Sequence, residues 1–388
     1  MNSLGDPGDA LAIRDFEILL FRAPAVPPVQ TSFGIMNDRP AVLVKLTDAD
    51  GITGWGEIWC NFPSVGAEHR ARLALAYLKP LVLAEAWPDP AACWRQLADR
   101  MAVLVLQTGE PGPIHNAIAG VEQALWDIAA KRAGMPLWRM LGGLTSGPVP
   151  VYASGINPTA PEKIARARYE EGYRAFKLKV GFGAERDDAN LRAMRDAIGP
   201  ASALMVDANQ GWDFDEACRA GERMARYDLL WLEEPLRADA PIERWTELAA
   251  RQPLRLAAGE NLAGLEAFAS HAQSGALAIL QPDIGKWGGL SGSLAVARIA
   301  AEHGLWFCPH WLGGGIGLLA ALHLKAAVGG PGYVEVDANP NPLRDGLAQP
   351  AFVVEEGAVR LSDRPGLGAE PDLAGCAGFL TEIPSAGM

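Results

Sequence analysis

Paired cysteines are missing from this sequence. Its five cysteines, Cys60, Cys93, Cys218, Cys308 and Cys376, are odd in number and form no CxxC. That argues against a disulfide framework or a thiolate zinc site and makes a reducing cytoplasm the expected setting. Basic charge is also short, with 34 Lys and Arg against 46 Asp and Glu and a net charge of -12. Nucleic acid is therefore not an expected partner, because phosphate contacts need a basic face. The same balance means that an anionic substrate needs a local positive site to overcome the field of the whole chain. No apolar run is long and clean enough to span a membrane, and residues 1–15 show no basic segment leading into an apolar one. Neither a membrane partner nor a signal peptide is expected.

What is present suits a large soluble, globular protein. The 388 residues are 49% hydrophobic and 21% charged, enough to bury a sizeable core and long enough for a barrel with an accessory domain. Residues 11–22 and 40–58 read as strands, with Asp50-Gly51 as a turn signal. From about Glu68 to Arg132 the pattern turns helical, and NAIAGVEQALWDIAAKR ends at Gly134 with Pro136 beyond. Residues 1–145 are thus expected to form an α+β unit.

After Gly143 eight short apolar runs alternate with helix-length connections: VPVYAS, FKLKV, ALMVDA, LLWLEEP, LRLAAGE, LAILQPD, LWFCPH and YVEVD. That rhythm predicts a (β/α) barrel over 146–342, with strands buried on both faces. The remaining segment, 343–388, has two short strands, AFVVEE and AVRLS, and should pack back on the N-terminal unit.

The runs from the second onward finish at Lys179, Asp207, Glu233, Glu260, Asp283, His310 and Glu335, spaced 23 to 28 residues apart. Strand ends meet water and carry charge for that reason alone, which accounts for one or two such residues but poorly for seven in succession. In a barrel all seven would ring one mouth. Asp207, Glu233 and Glu260 are three oxygen donors with no His or Cys beside them, a set that suits a hard cation and favours magnesium over zinc. Lys177 and Lys179 share one face of their strand. Their mutual repulsion beside a cation is expected to pull one pKa toward neutrality, as a general base requires. Asp283 and His310 end adjacent strands, where the carboxylate can orient the imidazole and raise its basicity.

Together KxK, VDAN, EEP, GEN, PDxxKxGG, PH and a final strand acid resemble the mandelate racemase subgroup of the enolase superfamily (the mandelate racemase/muconate lactonizing enzyme family). GVEQALWDIAAKRAGMPLWRMLGG resembles the capping-domain signature, and PGLG the segment that returns to the cap. The resemblance implies an α/β fold: a modified (β/α)7β TIM-like barrel under an α+β capping domain formed by the N-terminal region and the C-terminal tail. It implies Mg2+ held by Asp207, Glu233 and Glu260, with Lys179 as base on one substrate face and Lys177 near the substrate carboxylate. His310, paired with Asp283, becomes the acid/base on the other face, and Glu335 the acid that hydrogen-bonds the carboxylate. Asn209 is a further candidate for contact with substrate.

A small-molecule carboxylate is the implied substrate and a homo-oligomer the implied assembly. Asp283 stands where the muconate lactonizing and dipeptide epimerase branch carries a lysine. Lys286, three residues on, is read as off the strand end. The implied chemistry is α-proton abstraction through an enediolate, leading to dehydration of an acid sugar or other hydroxy acid. Racemisation or epimerisation of a 2-hydroxy acid, a muconate-type cycloisomerisation, and a catalytically silent binding barrel are the alternatives. Loops 26–37 and 57–65 are expected to reach over the mouth and to bring Phe33, Trp59 and Phe62 to the substrate, with Trp287 and Trp311 narrowing the entrance.

Overall fold

Alternating burial along Leu11–Gln30 (β1) marks a strand with one face on a core, and it pairs antiparallel with Ile35–Asp48 (β2), which pairs in turn with Thr53–Ile58 (β3). The computed structural model of the chain describes residues 10–31, 34–144 and 147–384. Three main helices cover this sheet: Gly66–Leu73 (α1), Pro90–Thr108 (α2) and Pro111–Arg132 (α3). The last is buried almost all round from Asn116 to Ala130, which is why its apolar pattern is broad and not a stripe. It lies directly on β3: a Cβ built on Gly56 would sit 2.0 Å from the carbonyl oxygen of Gly120, so only glycine admits this approach.

The eight apolar runs form eight parallel strands. They are Val149–Ile156 (β4), Ala175–Lys179 (β5), Ala203–Asp207 (β6), Leu229–Glu233 (β7), Leu256–Ala258 (β8), Ile279–Leu280 (β9), Trp306–Phe307 (β10) and Val334–Asp337 (β11). Neighbours in sequence are neighbours in the sheet, and β11 returns to pair with β4. Seven helices fill the connections: Pro161–Glu170 (α4), Ala184–Ile198 (α5), Phe214–Met224 (α6), Ile242–Arg251 (α7), Leu265–Ser274 (α8), Gly289–Glu302 (α9) and Gly315–Val328 (α10). The barrel is thus the (β/α)7β form that the resemblance implied. Among the described residues no helix is long and apolar enough to cross a membrane.

Side chains turned into the barrel change character along each strand. Tyr152, Ala175, Met205, Trp231, Ala257, Ile279 and Cys308 form an apolar cluster inside it, joined by Tyr333. Two residues further along, the same face carries Ser154, Lys177, Asp207, Glu233, Gln281, His310 and Glu335, all buried. An aromatic floor thus supports a tier of charge.

The C-terminal segment divides its contacts. Val354–Glu355 and Ala358–Val359 form a hairpin that pairs with Val149 and Pro150 of the barrel, not with the cap as expected. Leu380–Thr381 then joins the cap sheet beside Leu20 and Phe21.

Candidate active site

Lys177, wholly buried, is the hub of the charged tier. Its ammonium contacts Glu233, lies 3.0 Å from Glu335 and 3.9 Å from Asp207. Glu233 also accepts from Trp231 Nε1 at 3.1 Å and from Gln281 Nε2 at 2.6 Å. Lys179 Nζ lies 2.5 Å from Asp207, and Asn209 donates to the same carboxylate from its backbone at 2.7 Å and its amide at 3.1 Å. Across the mouth, His310 Nδ1 is 2.5 Å from Asp283, and its Nε2 faces Glu260 at 2.6 Å and Glu335 at 3.1 Å.

Above this tier opens a cavity of about 280 Å³. The cap contributes Thr31, Trp59, Asn61 and Phe62 to its wall; the barrel contributes Lys179, Asn209, Gln210, Glu260, Asn261, Lys286, His310 and Leu312. Of the residues singled out in the sequence, Lys179, Asn209, Glu260, His310, Trp59 and Phe62 reach this wall. Lys177, Asp207, Glu233, Asp283 and Glu335 lie outside its lining, in the buried charge beneath. Phe33 lies outside the described residues. Trp287 and Trp311 do not line the cavity: Trp311 is buried and donates to Gly314 O at 2.9 Å, while Trp287 packs against Trp94 and Phe268.

Lys286, expected to stand aside, is in the wall. The turn after Asp283 folds back, and its ammonium reaches Glu260 at 3.1 Å and Asn261 Oδ1 at 3.0 Å. It lies 4.8 Å from the centre of the Trp59 ring, with Arg70 of α1 5.3 Å from that ring, so the cap tryptophan contacts two cations. Glu234, Asn261 and Gln281 were also missed. Gln281 had a signal, since it stands two residues before Asp283 on the same strand. The backbone is strained where the β6 and β7 tips turn: Asn209, Gln210 and Glu234 have φ of 44°, 61° and 40°. Left-handed non-glycine residues are rare and gather at functional sites.

The electrostatics correct the lysine expectation. Burial is the largest influence on Lys179 and would depress it, as would Lys177, but Asp207, Glu260 and Glu335 together outweigh them and its pKa is raised. Lys177 is raised well above the usual lysine value, because Glu233 and Glu335 overcome its burial. Burial would likewise depress His310, yet Glu260, Glu335 and Asp283 hold it well above the usual imidazole value. Glu335 is carried down to about 2, with His310 and the two lysines outweighing burial. Within this cluster Glu335 accepts hydrogen bonds and is not a donor.

Asp207, Glu233 and Glu260 end neighbouring strands, and Asp207 is in register with Glu233. Their oxygens are nevertheless turned to the protein's own cations, and among the described residues no three Asp, Glu, His or Cys side chains are arranged as a metal's ligand set. The charge balance still fits a bound cation. Asp207, Glu233, Glu234, Glu260, Asp283 and Glu335 are opposed only by Lys177, Lys179, Lys286 and His310, which leaves an excess of two negative charges even with the imidazole protonated. Burial together with this surplus pushes Glu233 up to about 7 and Glu234 well above the carboxylate range. A doubly charged hard cation on carboxylate oxygens would neutralise the excess.

Comparison with known proteins matches both halves. Residues 16–142 match the N-terminal domain of the mandelate racemase / muconate lactonizing enzyme group, and 160–375 the enolase C-terminal domain-like family. A D-galactarolactone cycloisomerase from Agrobacterium fabrum is 34% identical over 88% of this chain and 92% of its own length. An arabinonate dehydratase from Saccharolobus solfataricus is 30% identical over 86% and 92%. Among solved structures, a mandelate racemase/muconate lactonizing enzyme from Bordetella bronchiseptica RB50 superposes with a TM-score of 0.88 at 49% identity, covering 95% of this chain and 99% of that one. A racemase from Streptomyces coelicolor with bound magnesium gives a TM-score of 0.84 at 28% identity, over 95% and 100%.

Proposed function

The chain belongs to the mandelate racemase/muconate lactonizing enzyme family of the enolase superfamily and is an enzyme of that family, and from this premise we propose that it is a Mg2+-dependent lyase acting on an acid sugar or related hydroxy acid. It takes the proton α to a carboxylate and expels the oxygen on the β carbon. The observation that carries this reading is that Lys179 and His310 come to one cavity from β5 and from the end of β10, on opposite sides of the barrel mouth.

Asp207, Glu233 and Glu260 are the residues that would hold the cation. When bound, the cation supplies positive charge to the substrate carboxylate as negative charge builds on its oxygens. Lys177 holds the same carboxylate from beneath, joined by Glu335, which takes up a proton from water as the negative charge of the substrate carboxylate comes to lie beside it. Lys179 takes the α-proton, for which it must first be neutral. Asp207 is the nearest of the acids that keep it protonated, with Glu260 and Glu335 adding to it, so engaging those carboxylate oxygens elsewhere frees the lysine to act. His310, kept protonated by the acids around it and oriented by Asp283, gives its proton to the departing oxygen. The product enol then tautomerises to a 2-keto acid. Returning a proton from His310 to the α carbon would instead give racemisation with the same residues.

A second reading rests on the cycloisomerase relative. If the β-oxygen belongs to a ring, it departs without leaving the molecule, and the net reaction is an isomerisation. The residues and their roles are unchanged.

The test is a panel of acid sugars, sugar lactones and 2-hydroxy acids in D₂O, read as deuterium uptake at the α carbon and as keto-acid formation. A substrate should exchange its α-proton with Mg2+ present, and EDTA should abolish that exchange. Exchange that survives chelation, or none with any member of the panel, would overturn the proposal.

A further inference from the structure

The GG pair of PDxxKxGG and the GVEQ run of the cap play no part in the chemistry above, yet they meet. Asp283 is in bridge register with His310, and its two oxygens do different things. Oδ2 faces the imidazole, while Oδ1 accepts from the backbone of Gly285 at 2.7 Å and of Lys286 at 3.0 Å. The loop from Ile284 to Gly288 therefore sets the angle of the carboxylate, and three residues of cap helix α3 grip the loop and the helix that follows it. Gln123 Nε2 donates to Ile284 O at 3.4 Å, and Asn116 Nδ2 to Lys286 O at 2.9 Å. Glu122 accepts from the backbone of Leu290 at 2.8 Å and of Ser291 at 2.9 Å, at the N-terminus of α9, where the helix dipole favours an anion. Gly289 has φ 57°, and a Cβ there would lie 2.3 Å from a Glu122 oxygen, so the glycine is the socket for the carboxylate. All three cap residues are buried.

We infer that Asn116, Gln123 and Glu122 are positioning residues that aim Asp283 at His310 from the other domain. The importance of that aim rests on the function proposed above; the grip itself does not. Small displacements of catalytic groups cost far more than their size suggests, and here the acid is held by a loop whose far side belongs to the cap. The proton-bearing side of the site is thus set by how the cap sits. Lys179, on β5, is held by Asp207 of β6 and not by this loop.

The test is the Nδ1–H resonance of His310 by NMR, in the full-length protein with Mg2+ added, assigned by its loss in His310→Asn. Asn116→Asp keeps the 2.8 Å acceptor contact with Arg70 Nε but removes the donor to Lys286 O. Gln123→Met keeps the volume and removes the amide that donates to Ile284 O and, at 3.2 Å, to Glu57 O. Each should move the His310 resonance upfield and quicken its exchange with solvent on the order of tenfold, the size expected for losing one buried hydrogen bond. The resonance of His323, whose Nε2 pairs with Leu367 O, reports the integrity of the rest of the fold and should stay in place. A His310 signal unmoved in both variants overturns the inference, and so does an equal shift at His323, which would mean general loosening. The readout needs no substrate, so a silent exchange screen would sink the proposed function and leave this result standing.

Discussion

Lys177 and Lys179 are one pleat apart, yet they meet different charges. Lys177 is enclosed by Glu233, Glu335 and Asp207, whereas Lys179 answers mainly to Asp207 at the edge of the cavity. That the strand tips carry the chemistry could be read from the chain, because the tip acids, lysine and histidine recur at barrel spacing. What could not be read is what a turn does next. Lys286 enters the wall because the loop folds back on Asp283, and Glu234 faces Asn261 because its φ is positive. The lysine pKa expectation failed for a related reason: the number of acids around an ammonium is a property of three dimensions. At this scale His310→Asn should lower the turnover of an eliminated substrate by at least ~100-fold, the usual worth of a general acid. It should leave α-deuterium exchange on the Lys179 face. Full turnover in the variant, measured as kcat, would show that the two faces have been assigned wrongly.

Helix α10 illustrates how an element can hide its role. Gly315 to Lys325 are buried on every side, so its sequence shows no amphipathic stripe. Its His323 is wholly buried, accepting from Trp138 N at Nδ1 (3.0 Å) and pairing with Leu367 O at Nε2 (3.1 Å). Burial pulls its pKa down to about 4. Between the ordinary imidazole value of about 6.5 and 4, the unfolded chain binds a proton that the folded one refuses. The contribution is therefore complete above pH 6.5 and is lost as the pH falls toward 4, by about 3 kcal/mol in all. Thermal melts from pH 7 to pH 4 should show this decline, and His323→Gln should flatten it; equal slopes in the two proteins would refute the assignment. The eight strands and the end of α3 were legible because apolar runs and Gly-Pro stops are local signals. The hairpin at 354–359 was not, because strands of two residues are placed by their partner, β4, and not by their own pattern.

Across the whole molecule the cap and the barrel share one core, beside a second that belongs to the cap alone. A single apolar cluster includes Phe21, Leu43, Trp55 and Trp126 of the cap together with Phe176, Leu232, Trp245 and Ile316 of the barrel. Asp127 of α3 also takes the backbone N–H of Leu367 at 2.8 Å, so the C-terminal segment is sewn to the same helix. Packing shared in this way couples the opening of the two units. Calorimetry should give a single transition, with the fluorescence of cap and barrel tryptophans changing together; two resolved transitions would mean that the shared core is weaker than its contacts suggest.

The aromatic floor has a consequence for traffic. Tyr152 and Trp231 meet edge to face at 5.6 Å with Tyr333 beside them, and they close the barrel axis below the charged tier. Among the described residues the cavity lies on the cap side of this floor, with Thr31, Trp59, Asn61 and Phe62 in its wall. A guest on that side meets these four side chains on the way in and on the way out, so a change in one of them bears on admission and release alike.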